Sequence, residues 1–164
     1  MPVLFRKYQT VKDFADADLG DLQEAVSSVL YYRNKAKNIQ AAAQKVVAEH
    51  GGRLPKTMQE MVTLPGVARK TANVLLGTLF NVIDGITVDT HMIRFSRRFG
   101  LSEYKDAVRI ERDLMLIVPK KEWYRFPYLV IEYGRTFGNP RGKKDLHNQD
   151  PLIHLYPKAK EYWP

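Results

Sequence analysis

The sequence predicts an all-α fold. Apolar residues recur at three- and four-residue spacing in several segments bounded by helix-capping residues, whereas no alternating strand pattern persists. With 164 residues and a hydrophobic fraction of 45%, the chain is most simply one domain with enough apolar surface to bury a core. The sequence contains no internal repeats, so it does not predict a solenoid.

Caps and apolar stripes place the first helices. Thr10 opens a short helix in the manner of a capping box, and Asp18 or Asp21 can cap the next one. The clearest helical pattern covers residues 32–50. Gly51 is expected to end this helix, because glycine adopts the left-handed cap conformation freely.

Later helices are predicted in the same way. Thr57, followed three positions later by Glu60, forms a capping box that starts a short helix at Met58. Asp89 stands in the position of an N-cap, and Ser102 is expected to open a further helix. The predicted helices after the one at Met58 cover about residues 68–80, 90–98, 102–117 and 126–137.

The charge balance favours a polyanionic partner. Lysine and arginine outnumber aspartate and glutamate by 26 to 18, so the formal net charge is +8. Nucleic acid is favoured over a membrane surface, since no predicted helix is both strongly basic and strongly apolar. No apolar run approaches the ~20 residues that span a bilayer, and the first residues do not form a signal peptide. We therefore expect an intracellular protein, in the cytoplasm and associated with nucleic acid.

The chain contains no cysteine. This composition excludes disulfides, thiol catalysis and cysteine-ligated zinc or iron–sulfur sites. We therefore expect no iron–sulfur cluster and no other cofactor.

A Pro-Gly turn between two predicted helices forms the first candidate site. The sequence LPGV at residues 64–67 makes residues 58–80 a helix–hairpin–helix. Gly66 allows the backbone to approach a ligand closely, and the amides from Gly66 to Ala68 lie at a helix N-terminus, which favours an anion such as a DNA phosphate. Taken alone, such a turn is more often an ordinary helix connection that contacts nothing.

Lys70 is a candidate nucleophile. It lies in the first turn of the second hairpin helix, at the positive end of the helix dipole, and Arg69 beside it adds a like charge. Both effects favour the neutral, nucleophilic form of the amine. For an isolated lysine, the alternative interpretation, a solvated or phosphate-binding side chain, would be favoured.

Asp89 is a candidate carboxylate for glycosidic chemistry. N-cap aspartates are common and stabilise a helix by ~1 kcal/mol, which suffices to explain a lone aspartate. Its functional interpretation is a carboxylate that stabilises positive charge on a sugar during glycosidic cleavage. His91, two residues later, is favoured as a structural or phosphate-side residue over a catalytic one.

LPGVARKTAN, followed by VDTH, resembles the helix–hairpin–helix DNA glycosylases, and in particular their endonuclease III branch. The likeness extends over about residues 10–135 and includes the strings NKAKNI and IEYGR. Position by position, Lys70 matches the Schiff-base lysine of the family and Asp89 matches its catalytic aspartate. The implied fold is the helix–hairpin–helix glycosylase fold.

The resemblance also implies a DNA-binding surface at the hairpin. Ala68 stands where the family usually has a second glycine, and this departure keeps the backbone amide. The residues expected to contact DNA are Pro65, Gly66, Val67, Ala68, Arg69, Thr71 and His91. The implied partner is double-stranded DNA with a damaged base or an abasic site, bound by a monomer.

The implied function is base excision repair. A damaged base, an oxidised pyrimidine in the first instance, would be flipped out of the duplex and excised by N-glycosidic cleavage, and a lysine Schiff base would nick the abasic site by β-elimination. The competing hypothesis is a non-catalytic or truncated helix–hairpin–helix DNA-binding module. A basic RNA-associated protein would explain the charge but not the paired motif.

The C-terminal part departs from the family pattern. The family's four-cysteine iron–sulfur loop follows its last helix, and the spacing places the corresponding positions near Gly138, Asp145, Asn148 and His154, none of which is cysteine. A replacement metal is disfavoured, because loops of mixed aspartate and histidine are usually only polar. The residues considered for such a metal are Asp145, His147, Asp150 and His154.

The expected domain organisation follows from these departures. Residues 1–137 are predicted to form the helical glycosylase-like domain, and residues 138–164 an irregular basic arm at the place of the iron–sulfur loop. The family's opening helices, which include a Ser-x-Gln-x-Thr-type segment, have no counterpart in the sequence. The fold is therefore expected to be N-terminally shortened.

Overall fold

The computed structural model describes residues 2–137, 150–156 and 159. Every regular element in those ranges is a helix, which confirms the predicted all-α fold. The helices are α1 (Pro2–Lys7), α2 (Val11–Ala15), α3 (Leu19–Ala25), α4 (Tyr32–His50), α5 (Met58–Met61), α6 (Arg69–Phe80), α7 (Thr90–Arg98), α8 (Ala107–Ile117), α9 (Arg125–Thr136) and α10 (Pro151–Leu155), with a 3₁₀ turn, Lys120–Glu122, between α8 and α9. Over the described part of the chain, none of these helices is both long and apolar enough to cross a membrane.

The chain divides into two compact units, Met1–Leu76 and Gly77–Pro164. In the first unit, α2 and α3 pack against α4. A buried cluster of this unit comprises Leu4, Tyr8, Leu22, Val26 and Ala36. The domain boundary at residue 137 stays a prediction.

In the second unit, α7 packs against α8 and α9. A buried hydrophobic cluster of this unit is formed by residues from these three helices and from the segment that precedes α7. They are Ile86, Val88, Met92, Ile110, Leu114 and Val130. Because α7 contacts both other helices and is preceded by buried core residues, its position determines where Asp89 lies.

Local capping signals set most helix starts as predicted. Thr10 forms the expected capping box at α2, and Asp18, rather than Asp21, caps α3. The helix predicted at residues 32–50 is α4, Tyr32–His50, and it ends at Gly51 with a φ of +59°. The helix predicted at residues 90–98 is α7, with Asp89 as its N-cap.

The prediction that Ser102 opens a helix is wrong. α8 begins at Ala107, with Asp106 as its N-cap. The buried Ser102 hydroxyl instead donates to the Asp113 carboxylate at 2.6 Å and accepts from the Tyr104 amide at 3.3 Å. Ser102, which the local pattern predicted to be an N-cap, therefore makes a tertiary hydrogen bond instead.

The arm predicted to be irregular includes one short helix. α10 begins with Pro151, and Asp150 caps it by accepting a hydrogen bond from the Leu152 amide at 2.9 Å. Proline is tolerated at this first helical position, because no intrahelical bond needs its missing N–H. Residues 138–149 of the predicted arm lie outside the described residues.

A buried ionic network holds α10 in the second unit. Arg98 Nη2, at the end of α7, lies 2.7 Å from Asp150 Oδ2, and the two side chains are 5% and 1% exposed. Tyr133 on α9 donates its hydroxyl to the same carboxylate oxygen at 2.5 Å and accepts from Arg98 Nη1 at 2.7 Å. Burial, together with the hydrogen bond to Asp150, raises the pKa of the Tyr133 phenol. Three helices are joined through one carboxylate.

Replacement of Asp150 by asparagine is expected to lower the free energy of unfolding by about 3–5 kcal/mol, because Arg98 would keep a buried charge without its carboxylate. Asp16→Asn is the control, since Asp16 pairs with Lys12 at 2.6 Å on the surface. Loss of that exposed pair should cost far less, because solvent screens it. Chemical denaturation followed by circular dichroism measures both variants, and equal losses would contradict the buried network.

Tyr133→Phe is expected to change the alkaline dependence of stability. The folded protein retains the Tyr133 proton, whereas the unfolded chain releases it above the ordinary pKa of 10.0. The stability contributed by this phenol is therefore complete below that pH and declines as the pH rises beyond it. The difference in unfolding free energy between wild type and variant should therefore be smaller at about pH 11 than at about pH 8. A difference that stays constant would show that the Tyr133 phenol titrates normally.

Candidate active site

The hairpin lies in the first unit, between α5 and α6. Its turn is closed by a hydrogen bond from the Val67 amide to the Leu64 carbonyl at 3.0 Å. Leu64 is only 3% exposed, so the turn is anchored in the core. Gly66 has a φ of +76°, in the left-handed region that favours glycine.

The side chain of Asn38 on α4 occupies the space that a larger residue at position 66 would need. A Cβ added to Gly66 would lie 2.8 Å from the Asn38 Cβ and 2.9 Å from its Nδ2. Both the backbone conformation and this contact therefore require glycine at position 66. The sequence indicated the first requirement through the Pro-Gly pair, but nothing local indicated the partnership with Asn38.

The hairpin presents fewer free amides than the sequence suggested. The Val67 amide is engaged within the turn. The amides of Gly66 and Ala68 donate to no acceptor in the part of the chain that the structure describes. These two N–H groups, together with the first turn of α6, are the donors available to an anion.

Lys70 is the second residue of α6 and is exposed. Ala72 and Asn73 of the same helix are buried, whereas Thr71 is exposed. The first turn of α6 contains no acidic residue. The amine of Lys70 is therefore presented to solvent beside the hairpin, at the positive end of the helix dipole.

Asp89 lies in the second unit and caps α7. One of its carboxylate oxygens, Oδ1, accepts from the amides of both His91 and Met92, each at 2.9 Å. Its neighbour Val88 is 7% exposed and Met92 is 1% exposed, so core residues on both sides fix the cap. Among the described residues, nothing donates a hydrogen bond to the second oxygen of Asp89.

His91 is half-buried and packs against α9. A Cβ at Gly134 would collide with the His91 ring, so glycine at position 134 creates the space for this histidine. Gly134 belongs to the string IEYGR, which is the sequence signal that could have identified this contact. The structure thus gives His91 a packing role between α7 and α9.

The candidate residues are divided between the two units. Pro65, Gly66, Val67, Ala68, Arg69, Lys70 and Thr71 follow one another in the first unit. Asp89 and His91 belong to the second. Each group is set at the start of a helix by bonds and packing within its own unit.

The chain does not fit the iron–sulfur cluster of the family that it resembles. It contains no cysteine, and thiolates are the ligands on which such clusters depend. Asp150, one of the residues considered for a replacement metal, is already bonded to Arg98 and Tyr133. Within the described ranges, no group of three or more histidine or acidic side chains could hold a metal, while Asp145 and His147 lie outside those ranges.

Comparison with known proteins identifies the family. Residues 1–120 match the family model of the HhH-GPD superfamily base excision DNA repair proteins. Endonuclease III of Synechocystis is 45% identical over 97% of this chain, which covers 72% of that protein. Endonuclease III of Bacillus subtilis is 43% identical over 80% of this chain, but only 60% of that protein is covered.

Comparison with solved structures gives the same family as the sequence relatives. A solved structure of a trapped endonuclease III–DNA covalent intermediate superposes with a TM-score of 0.88 at 36% identity, covering 98% of this chain and 74% of that one. This similarity confirms the predicted glycosylase fold. The chain belongs to the HhH-GPD superfamily of base excision DNA repair proteins, in its endonuclease III branch.

Proposed function

We propose that this protein is a DNA glycosylase and abasic-site lyase of base excision repair. Its substrate is double-stranded DNA that carries a damaged base, in the first instance an oxidised pyrimidine, or an abasic site. The observation that carries the proposal is the exposed Lys70 in the first turn of α6, directly after the hairpin. The protein acts as a monomer without a resident cofactor.

The hairpin supports binding to a DNA backbone. The amides of Gly66 and Ala68 and the N-terminus of α6 favour one phosphate, and such contacts read no base sequence. A formal net charge of +8 draws the protein towards any duplex. Recognition of damage requires a further step, in which the nucleotide leaves the base stack at a cost that damage itself reduces.

Lys70 supplies the nucleophile. Its unprotonated Nζ forms a bond to C1′ of the flipped nucleotide, and the base leaves with the electron pair of the glycosidic bond and gains a proton. Loss of a proton from nitrogen and opening of the sugar ring give an imine between Lys70 and C1′. The imine acidifies C2′, so a C2′ proton departs and the C3′–O bond breaks with the 3′ phosphate as leaving group. Water then hydrolyses the imine and frees the lysine.

Asp89 stabilises the charge that the sugar develops. As the glycosidic bond breaks, positive charge grows on the sugar, and a fixed carboxylate lowers the energy of that state. The oxygen of Asp89 that is not engaged in the cap is suited to this role, because its position is held by the amides of His91 and Met92. The carboxylate needs no reorganisation when the charge appears.

Trapping with borohydride tests the lysine. Wild-type protein, incubated with a duplex that contains one abasic site and then reduced, should give a covalent protein–DNA complex, and Lys70→Ala should give none. Lys105→Ala is the matched control, because Lys105 is also exposed but lies in the loop before α8. Absence of trapping by the wild type would favour a non-catalytic DNA-binding module, and trapping by Lys70→Ala would show that another amine reacts.

Asp89→Asn separates catalysis from capping. Asparagine caps helices about as well as aspartate, so the melting temperature should change little. Loss of the negative charge is expected to slow base excision by about 10²–10³-fold, the range seen when one preorganised electrostatic group is removed. Asp106→Asn is the control, since Asp106 caps α8 by accepting from the Arg109 amide at 3.0 Å. Equal excision rates for the two variants would reduce Asp89 to a structural cap.

A further inference from the structure

The Asn38 side chain lies directly against the hairpin. Asn38 is on α4, and its Cβ, Cγ and Nδ2 are 2.8, 2.9 and 2.9 Å from the position where a Cβ of residue 66 would stand. All of these atoms belong to the first unit. The amide of Asn38 and the backbone of Gly66 therefore share one small region of surface.

The amide of Asn38 is free to bind a ligand. Asn38 is an exposed residue, and its side chain makes no hydrogen bond or ion pair within the described part of the chain. An asparagine side chain carries two N–H donors. Asn38 packs against Gly66, whose backbone amide is unengaged, and the unengaged amide of Ala68 follows two residues later in the same turn.

The N-terminal part of α4 is positively charged. Its first two turns carry Arg33, Lys35 and Lys37, all exposed, and the only acidic residue of the helix is Glu49 in its last turn. A polyanion approaching the hairpin would meet positive charge on this helix as well as on α6. A nucleic-acid backbone matches that charge and the hydrogen-bond donors, because phosphate oxygens only accept hydrogen bonds.

We propose that Asn38 is a further DNA-binding residue, whose side-chain amide donates to the same backbone phosphate that the Gly66 and Ala68 amides hold. The proposal rests on the proposed function, because it adds a side-chain donor to the hairpin of a DNA repair enzyme. Asn38 also shields Gly66 from the side where a side chain would project. The phosphate grip is thus built from two helices, α4 and α6, and not from the hairpin alone.

Three variants test the proposal by equilibrium binding. The probe is a labelled duplex with one tetrahydrofuran abasic-site analogue, which cannot form an imine, and fluorescence anisotropy gives Kd. Asn38→Leu keeps nearly the same shape without donors and should weaken binding about tenfold, as expected for loss of a hydrogen bond to a charged group. Asn38→Asp should weaken it further, because a carboxylate would face the phosphate.

Asn81→Asp is the control for the change in net charge. Asn81 is exposed in the second unit and has a φ of +54°, a conformation that aspartate tolerates as asparagine does. Its Kd should stay within about twofold of the wild type, since a single exposed charge is largely screened at moderate salt. Thermal melting of every variant gives the independent measure of folding.

The outcomes distinguish the role of Asn38 from the DNA-binding function of the whole protein. Weaker binding by both Asn38 variants at an unchanged melting temperature supports a donor to phosphate. A Kd of either Asn38 variant within twofold of the Kd of Asn81→Asp would contradict the proposal. Weaker binding together with a lowered melting temperature would also contradict it, because Asn38 would then have only a packing role. Failure of the wild type itself to bind the duplex would refute the proposed function instead.

Discussion

The hydrogen bonds from the His91 and Met92 amides to one oxygen of Asp89 are the interaction on which the second unit depends. They start α7, which packs against both α8 and α9. Val88 and Met92, on either side of the cap, are core residues, so the carboxylate cannot move without disturbing the core. The same bonds leave one carboxylate oxygen free. Stability and the proposed chemistry therefore share a side chain, and the core supplies the preorganisation that catalysis needs.

The hairpin applies a similar constraint in the first unit. Gly66 is fixed by its positive φ and by the Asn38 side chain that covers it. Ala68 stands where the family usually has glycine, and its φ is not positive, so a methyl group there causes no backbone strain. Because the turn is rigid, Lys70 follows at a defined place in the first turn of α6. The backbone geometry of the turn therefore sets the place of the amine that we propose as the nucleophile.

Local chemistry accounts for what the sequence predicted correctly. The end of α4 and the start of α7 were predicted to the residue, because Gly51 and Asp89 act within one turn of the helix ends that they set. The start of α8 was missed because Ser102 bonds to a residue eleven positions away. The buried pair of Arg98 and Asp150 joins residues 52 positions apart, and no local pattern reports such a contact. Among the site residues, those in the hairpin could be read from the sequence, whereas the neighbour on α4 required the fold.

If Lys70 is the covalent nucleophile, the reduced DNA adduct must lie on its amine, and the most direct measurement is to locate that adduct. After borohydride reduction with abasic-site DNA, the complex is digested with nuclease and protease, and mass spectrometry identifies the modified peptide. The expected result is a single reduced sugar remnant on the Nζ of Lys70. An adduct on another amine, such as Lys37 or the N-terminus, would contradict the assignment of the reaction to the start of α6.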